Sequence, residues 1–280
     1  MRISGRTRIT GLLGYPVEHS LSPAMHNAAF EHLNLDYCYV TFPVRPDLLR
    51  DAVRAIRALN LRGVNVTVPH KERVIPFLDK VDEEASFIGA VNTILNSDGT
   101  LIGYNTDGRG FMESLKEAGI QVEGKTALII GAGGASRAVS YYLSERVETL
   151  YLWDIDTKRL ENLVRDLNTI RGNVSIKEIN NLDGIDILIN ATPLGLKDTD
   201  PCPVNISLIT AKITVCDLIY KDTTLLRAAS ERGCKTLNGL GMLLHQGVLA
   251  FEIWTGIKPP VDVMHNAIIS INLIQIIDNR

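Results

Sequence analysis

The sequence predicts an α/β fold in two domains, on three observations. The chain has 280 residues, enough for about two cores of ordinary size. From Lys125 onward, apolar runs of strand length alternate with helical periodicity, the pattern of βαβ units around a parallel sheet covered on both faces. Within that region Thr126 to Arg137 (TALIIGAGGASR) joins a buried strand to a helix through a glycine-rich turn.

Taken in order, Arg8 to Tyr15 reads as a first strand ending at Pro16. Ser22 is placed as the N-cap of a helix reaching about Leu33, with Pro23 at the first helical position, where its missing N–H costs nothing. Asp36 to Pro43 is a second strand. Asp47 to Leu59 is a helix with Leu48, Leu49, Ala52, Val53 and Ile56 on one buried face. Gly63 to Val68 is a short β-branched strand stopped at Pro69, and Lys71 to Leu78 and Glu83 to Gly89 are short helices. Val91 to Leu95 and Leu101 to Tyr104 flank Ser97-Asp98-Gly99, a hairpin signal. A helix then runs from about Arg109 to Ala118.

In the second half the strands are Ala127 to Ile130, Leu150 to Asp154, Ile185 to Asn190 and Ile213 to Leu218. Helices open at Ala135 and run over Lys158 to Leu167 and Thr224 to Arg232. After Thr236 to Gly239 come two apolar helices, Leu240 to Trp254 and Val261 to Ile277. No repeat, low-complexity linker or charge block marks a domain boundary. A hinge near Asp107 to Gly110 is expected, with the chain crossing back near Gly239 to Gly241, so that 1–107 plus 240–280 and 108–239 form the two domains.

Composition narrows the function classes. A formal net charge of −3, with basic residues scattered, argues against a nucleic-acid surface, and Lys158-Arg159 is too short a run to track phosphates. Cys38, Cys202, Cys216 and Cys234 show neither CxxC nor ligand spacing, which fits four buried thiols in a reducing compartment. The six histidines form no metal pattern, so no metal site is expected. MRISGRTRIT lacks the apolar core of a signal peptide and no apolar run reaches membrane length, so a soluble, cytoplasmic protein is expected.

The glycine turn Gly131-Ala132-Gly133-Gly134-Ala135 would let a pyrophosphate approach the backbone and sit on a helix N-terminus. Ser136 stands where the third glycine of G-x-G-x-x-G would be, which weakens the motif. Asp154, closing the next apolar run, strengthens it, because an acidic residue there can take the ribose hydroxyls of a dinucleotide. The bland alternative is a tight βα turn followed by a capping aspartate.

Four polar clusters lie where strands end or helices begin in the first hundred or so residues: Ser20 and Ser22, Thr67 with His70 and Lys71, Asn92, and Asn105-Thr106-Asp107. Each has a structural explanation of its own as a helix cap, a solvated first-turn lysine or a hairpin residue. Together, however, HSLSP, GVNVTVPHKE, IGAVNTI, GYNTDG, GAGGASRA, INATPLG and NGLGMLLHQG occur in an order and spacing that resemble the shikimate dehydrogenase family along essentially the whole chain.

That resemblance implies an N-terminal α/β substrate domain and a Rossmann-type parallel-sheet dinucleotide-binding domain separated by a cleft. It implies reversible reduction of 3-dehydroshikimate to shikimate on the route to chorismate and aromatic amino acids. By position, Lys71 is similar to the family's catalytic lysine and Asp107 to its partner carboxylate. Ser20 and Ser22 match hydroxyls that hold the substrate carboxylate. Thr67, Asn92 and Gln246 match groups on the ring hydroxyls or carbonyl, and Tyr220 a tyrosine that reaches the substrate. Gly131 to Ala135 match the pyrophosphate turn, and Thr192, Leu218 and Gly239 line the nicotinamide side. A homodimer is the oligomeric state carried as an expectation, and small molecules the only other partners.

The cofactor is NADP or NAD. Members of the family that use NADP usually carry an Asn-Arg-Thr run after the second strand of that domain, and another arginine soon after. Here Asp154 and Ile155 replace the asparagine and first arginine, and Arg159 remains at the later position beside Lys158. A carboxylate near a 2′-phosphate is repulsive, at most about 4 kcal/mol per unit-charge pair at ~4 Å and an effective dielectric of ~20. NAD is therefore expected to be used at least as well as NADP. A quinate/shikimate dehydrogenase using NAD is the nearest alternative. A Rossmann methyltransferase leaves Lys71 and Asp107 unexplained, and a non-catalytic sensor would be expected to have lost one of them.

Overall fold

The computed structural model describes residues 3–278. Internal contacts divide the chain into two units, one formed by residues up to Thr106 together with those from Gln246 onward, the other by Asp107–His245.

The first unit begins with strand β1 (Arg8–Gly14), helix α1 (Ser22–His32) and β2 (Tyr37–Pro43). A 3-10 turn at Pro46–Leu48 leads into α2 (Leu49–Ala58), followed by β3 (Gly63–Val66) and a second 3-10 turn at Ile75–Phe77. Then come β4 (Lys80–Val81), α3 (Glu83–Ile88), β5 (Thr93–Ser97) and β6 (Thr100–Tyr104). The sheet order is β2-β1-β3-β5-β6-β4. β1 pairs parallel with β2 and β3, whereas β5 pairs antiparallel with β3 and β6. The β5–β6 turn has Asp98 at φ 50° and Gly99 at φ 89°, the two positive values that a tight two-residue hairpin needs to match strand twist. Leu49, Val53 and Ile56 of α2 pack with Leu13, Val64, Val66, Ile94 and Leu101 in this unit's core.

Several sequence expectations are corrected here. Ser22 is the first helical residue rather than the cap, and its N–H donates to the Ser20 hydroxyl at 3.3 Å. Lys71 to Leu78 is not a helix: residues 71–74 form turns and only Ile75–Phe77 is helical, because Pro76 has no N–H to extend it. Leu48 lies in the 3-10 turn and is exposed rather than on the buried face of α2.

The second unit comprises α4 (Asp107–Glu117), β7 (Thr126–Ile130), α5 (Gly134–Leu143), β8 (Thr149–Trp153), α6 (Thr157–Asn168) and β9 (Val174–Ile176). The chain continues through β10 (Ile187–Asn190), β11 (Thr214–Asp217), α7 (Thr224–Glu231), β12 (Thr236–Leu237) and α8 (Leu240–Thr255). All six strands are parallel, in the order β12-β11-β10-β7-β8-β9. The chain starts at β7, runs outward through β8 and β9, and returns to β10 on the other side of β7. This is the strand order of a Rossmann-type sheet, and the gap between the C-terminal ends of β7 and β10 is its switch point. β10 is buried along its length, as a strand covered on both faces must be. The short edge strands β4, β9 and β12 were not foreseen.

The unit division falls inside α8. Leu240 to His245 count with the second unit, six residues beyond the expected boundary. Gly241 lies against Ser114 of α4, where an added Cβ would come to 2.8 Å, and His245 Nε2 lies 2.8 Å from Glu117 Oε2. The rest of α8 joins α9 (Val261–Asp278) in the first unit. There the buried Trp254 donates from Nε1 to Ile94 O at 3.0 Å and accepts from Arg62 at its carbonyl. Gly63 permits this approach, since a Cβ would come within 2.4 Å of the indole nitrogen. Among the described residues no helix is long and apolar enough to cross a membrane. Cys38, Cys216 and Cys234 are buried, while Cys202 is only half-buried, against expectation; all four are free thiols.

Candidate active site

The switch point carries the glycine turn. β7 ends at Ile130, and Gly131 follows at φ 115°, a conformation that a side chain would strain. A Cβ there would also come within 2.9 Å of Ala191 O, just past the end of β10, so the two strand ends can approach only because this residue is glycine. A Cβ at Gly133, by contrast, would meet no atom within 4 Å. Protein packing does not require that glycine, whereas close approach of a ligand to the backbone would. α5 starts at Gly134 with no side chain capping it, leaving N–H groups and the positive end of the helix dipole toward that space. These features fit a dinucleotide pyrophosphate. Ser136, in place of a third glycine, is fully buried and donates its hydroxyl to Gly131 O at 2.5 Å, bracing the turn.

Asp154 is bound to the same turn. Its Oδ2 accepts the Ala132 N–H at 2.5 Å and its Oδ1 the Asp156 N–H at 2.8 Å. Ile155 beside it is 87% exposed. Arg159 is not brought to Asp154: its backbone N–H donates to Asp156, which caps α6, and its Nε lies 3.5 Å from the same carboxylate.

Thr192, Leu218, Tyr220 and Gly239 lie beyond the ends of β10, β11 and β12. Thr192 donates from its backbone N (3.0 Å) and hydroxyl (2.7 Å) to Asn190 Oδ1. Leu218 donates its N–H to Asn190 O, and Gly239 to Ile219 O, each at 3.0 Å. Gly239 cannot carry a side chain, because a Cβ would lie 2.1 Å from Leu218 O. Burial raises the Tyr220 phenol above its ordinary range.

In the first unit Asn92 is hydrogen-bonded to Thr106 and Gln246. Its Oδ1 accepts from Thr106 N at 2.9 Å, and its Nδ2 donates to Thr106 Oγ1 at 2.9 Å and to Gln246 Oε1 at 3.5 Å. Thr106 in turn donates to Gln246 O at 3.1 Å. Asn65, buried in β3, donates to Asn92 O and Thr93 Oγ1 and accepts the Tyr39 hydroxyl at 2.9 Å. Tyr39 is also hydrogen-bonded to the Ser22 side chain. A continuous buried polar chain thus runs from Ser22 to Gln246. Lys71 joins through its backbone, its carbonyl accepting Val91 N–H at 2.8 Å, one residue before Asn92. Thr67 sits at the exit of β3, with its N–H on Leu13 O. His70, between them, is buried, and its Nε2 lies 2.7 Å from Val44 O; a carbonyl only accepts, so Nε2 carries the proton. Asp107 is the first residue of α4, 4% exposed, directly after Thr106.

Sequence reading missed Asn65, Asn190 and Asp217 as anchors of these residues, and gave Thr106 only as a member of the Asn105-Thr106-Asp107 cluster. The available signal was a lone amide or carboxylate in a short buried strand, GVNV, ILIN and TVCD. Among the described residues no group of three or more His, Cys, Asp or Glu could hold a metal ion.

Two family models match the chain: the shikimate dehydrogenase substrate binding domain over residues 12–94, and the shikimate 5′-dehydrogenase C-terminal domain over residues 239–269. A shikimate dehydrogenase (NADP(+)) of Desulforamulus reducens is 51% identical, covering 95% of this chain and 96% of its own. The chain belongs to the shikimate dehydrogenase family. Its fold is similar to a solved shikimate dehydrogenase in complex with NADP+, with TM-score 0.91, 42% identity, and coverage of 96% of this chain and 97% of that one. It is also similar to a family member from Listeria monocytogenes in complex with shikimate and NAD, with TM-score 0.86, 39% identity, and coverage of 95% and 98%. The family likeness spans both units, including the middle of the chain, which the two domain models leave unmatched.

Proposed function

We infer that the chain is a shikimate dehydrogenase, catalysing the reversible nicotinamide-dependent reduction of 3-dehydroshikimate to shikimate. The carrying observation is the 51% identity to a shikimate dehydrogenase over 95% of the chain. It is supported by the glycine turn at the switch point of one unit and the buried polar chain from Ser22 to Gln246 in the other.

The residue types suit the chemistry. Oxidising a secondary alcohol takes a proton from oxygen while hydride leaves carbon, and nicotinamide supplies the hydride acceptor. In our reading Lys71 takes the hydroxyl proton, and in the reverse direction its ammonium donates it and stabilises developing alkoxide charge. Asp107 orients that ammonium and accepts from a ring hydroxyl. Ser20 and Ser22 donate to the substrate carboxylate, and Thr67, Asn92, Gln246 and Tyr220 bind the ring oxygens. Gly131 to Ala135 hold the pyrophosphate, with Thr192, Leu218 and Gly239 beside the nicotinamide. The proposed domain roles follow: substrate on the unit that ends at Thr106 and resumes at Gln246, dinucleotide on Asp107–His245.

For the cofactor we propose that NAD is used at least as well as NADP, although the D. reducens relative is an NADP(+) enzyme. Asp154 brings negative charge to the end of β8, and Arg159, the arginine kept from the usual clamp, already faces Asp156. Measuring kcat/KM for shikimate oxidation with NAD and with NADP in parallel tests both inferences. No turnover with either cofactor sinks the activity, and a large NADP advantage sinks the NAD preference.

A further inference from the structure

We propose that Asn190 and Asp217 form a positioning pair that sets the two turns on the nicotinamide side of the site, a role that rests on the function inferred above. They end the adjacent parallel strands β10 and β11 in direct register, and are 0% and 1% exposed. Asn190 Nδ2 donates to Asp217 Oδ1 and to Leu194 O, each at 3.0 Å, while its Oδ1 takes both donors of Thr192. Its two donors and two lone pairs are thereby filled. Asp217 Oδ1 also accepts Ile219 N–H at 3.1 Å, and its Oδ2 accepts the Thr223 hydroxyl at 2.8 Å.

One side chain thus closes the 190–194 turn that carries Thr192, and the other closes the 217–223 turn that carries Leu218 and Tyr220. The bond between them fixes one turn against the other, and Gly239 is tied in through Ile219 O. A buried carboxylate is an expensive way to join two strands that apolar residues could join at less cost. Fixing backbone direction at both strand ends is what its three donors achieve and an apolar residue could not. Burial, outweighing those donors, raises its carboxyl above the usual range, in keeping with a group held for its geometry.

The test compares Asp217→Leu, which removes every acceptor, with Asp217→Asn. The latter keeps Oδ1 for Asn190 and Ile219, and its amide can donate to the Thr223 hydroxyl. Folded protein is quantified by circular dichroism, and affinity is read by fluorescence titration with whichever of NADH or NADPH the wild type binds more tightly. We expect Asp217→Leu to weaken that affinity at least 10-fold, to lower kcat at least 30-fold and, because the 217–223 turn also carries Tyr220, to raise KM for shikimate. Asp217→Asn should stay within 3-fold of wild type in all three. Folded Asp217→Leu with wild-type affinity and kcat overturns the proposal, as does Asp217→Asn failing as badly as Asp217→Leu. Should Asp217→Leu not fold, Asn190→Asp carries the test. Two facing carboxylates restore the bond only when they share a proton, so affinity per folded molecule should rise as pH falls, and a pH-independent affinity refutes the pair. A wild type that binds the dinucleotide but does not oxidise shikimate sinks the function and leaves this binding test standing.

Discussion

Asp154 holds Ala132: the carboxylate closing one strand accepts the N–H of the turn that closes the neighbouring one, at 2.5 Å. Negative charge is thereby fixed beside the proposed pyrophosphate turn before any ligand arrives. Asp154→Asn removes the charge and keeps one acceptor. Relief of the repulsion should raise the NADP-to-NAD ratio of kcat/KM by roughly 10- to 100-fold, within the ~4 kcal/mol that a unit-charge pair at ~4 Å can supply. An unchanged ratio would remove Asp154 from cofactor choice.

Lys71→Ala should lower kcat by on the order of 10²–10⁴, the usual reach of one acid–base group, with the melting temperature little changed because the side chain is only partly buried. Steady-state turnover beside a thermal melt checks this. Near wild-type turnover would take Lys71 out of the proton transfer.

Asn65→Ala should destabilise the protein by about 2–4 kcal/mol, since it leaves the Tyr39 hydroxyl and the Asn92 carbonyl buried without this partner. Because the Asn92 backbone loses that tether, KM for shikimate should rise as well. Urea midpoints and substrate titration read the two effects separately. A variant as stable as wild type would mean that the polar chain from Ser22 contributes little to the fold.

His26 is fully buried, stacked 4.5 Å from the Tyr39 ring, and neither ring nitrogen has a hydrogen-bond partner. Desolvation lowers its pKa to about 3, against the 6.5 it has when free. The folded value lies below the unfolded one, so above pH ~6.5 both states are neutral and no penalty exists. As pH falls below ~6.5 the unfolded chain takes a proton that the folded chain refuses, and stability drops by about 1.4 kcal/mol per pH unit until about pH 3. His26→Phe should flatten that part of the profile in urea unfolding at pH 7, 5 and 4. Parallel profiles for variant and wild type would refute it.

The central parallel strands were legible because β7, β8, β10 and β11 are apolar runs that only a doubly covered sheet can bury. β4, β9 and β12 were not, since two or three residues carry no periodicity and these strands are defined by the neighbours they pair with. The segment Lys71 to Leu78 was expected to be a helix, and Pro76, with no N–H to extend one, leaves only Ile75–Phe77 helical. At the site, the glycine turn could be read from local chemistry, because Gly131 answers to backbone geometry and Gly133 leaves the space a ligand would need. The anchors Asn65, Asn190 and Asp217 could not be assigned, because each acquires its meaning from a partner 27 or 28 positions away that only the folded chain supplies.

The unit boundary at His245 and Gln246 falls within one unbroken helix. A gene cut there would leave a fragment ending in unsatisfied carbonyls and another beginning with bare amides. A cut at Gly239 would strip Gly241 and His245 from their neighbours on α4. Neither half is a natural candidate for separate expression, and mixing the two as independent polypeptides should not restore the whole.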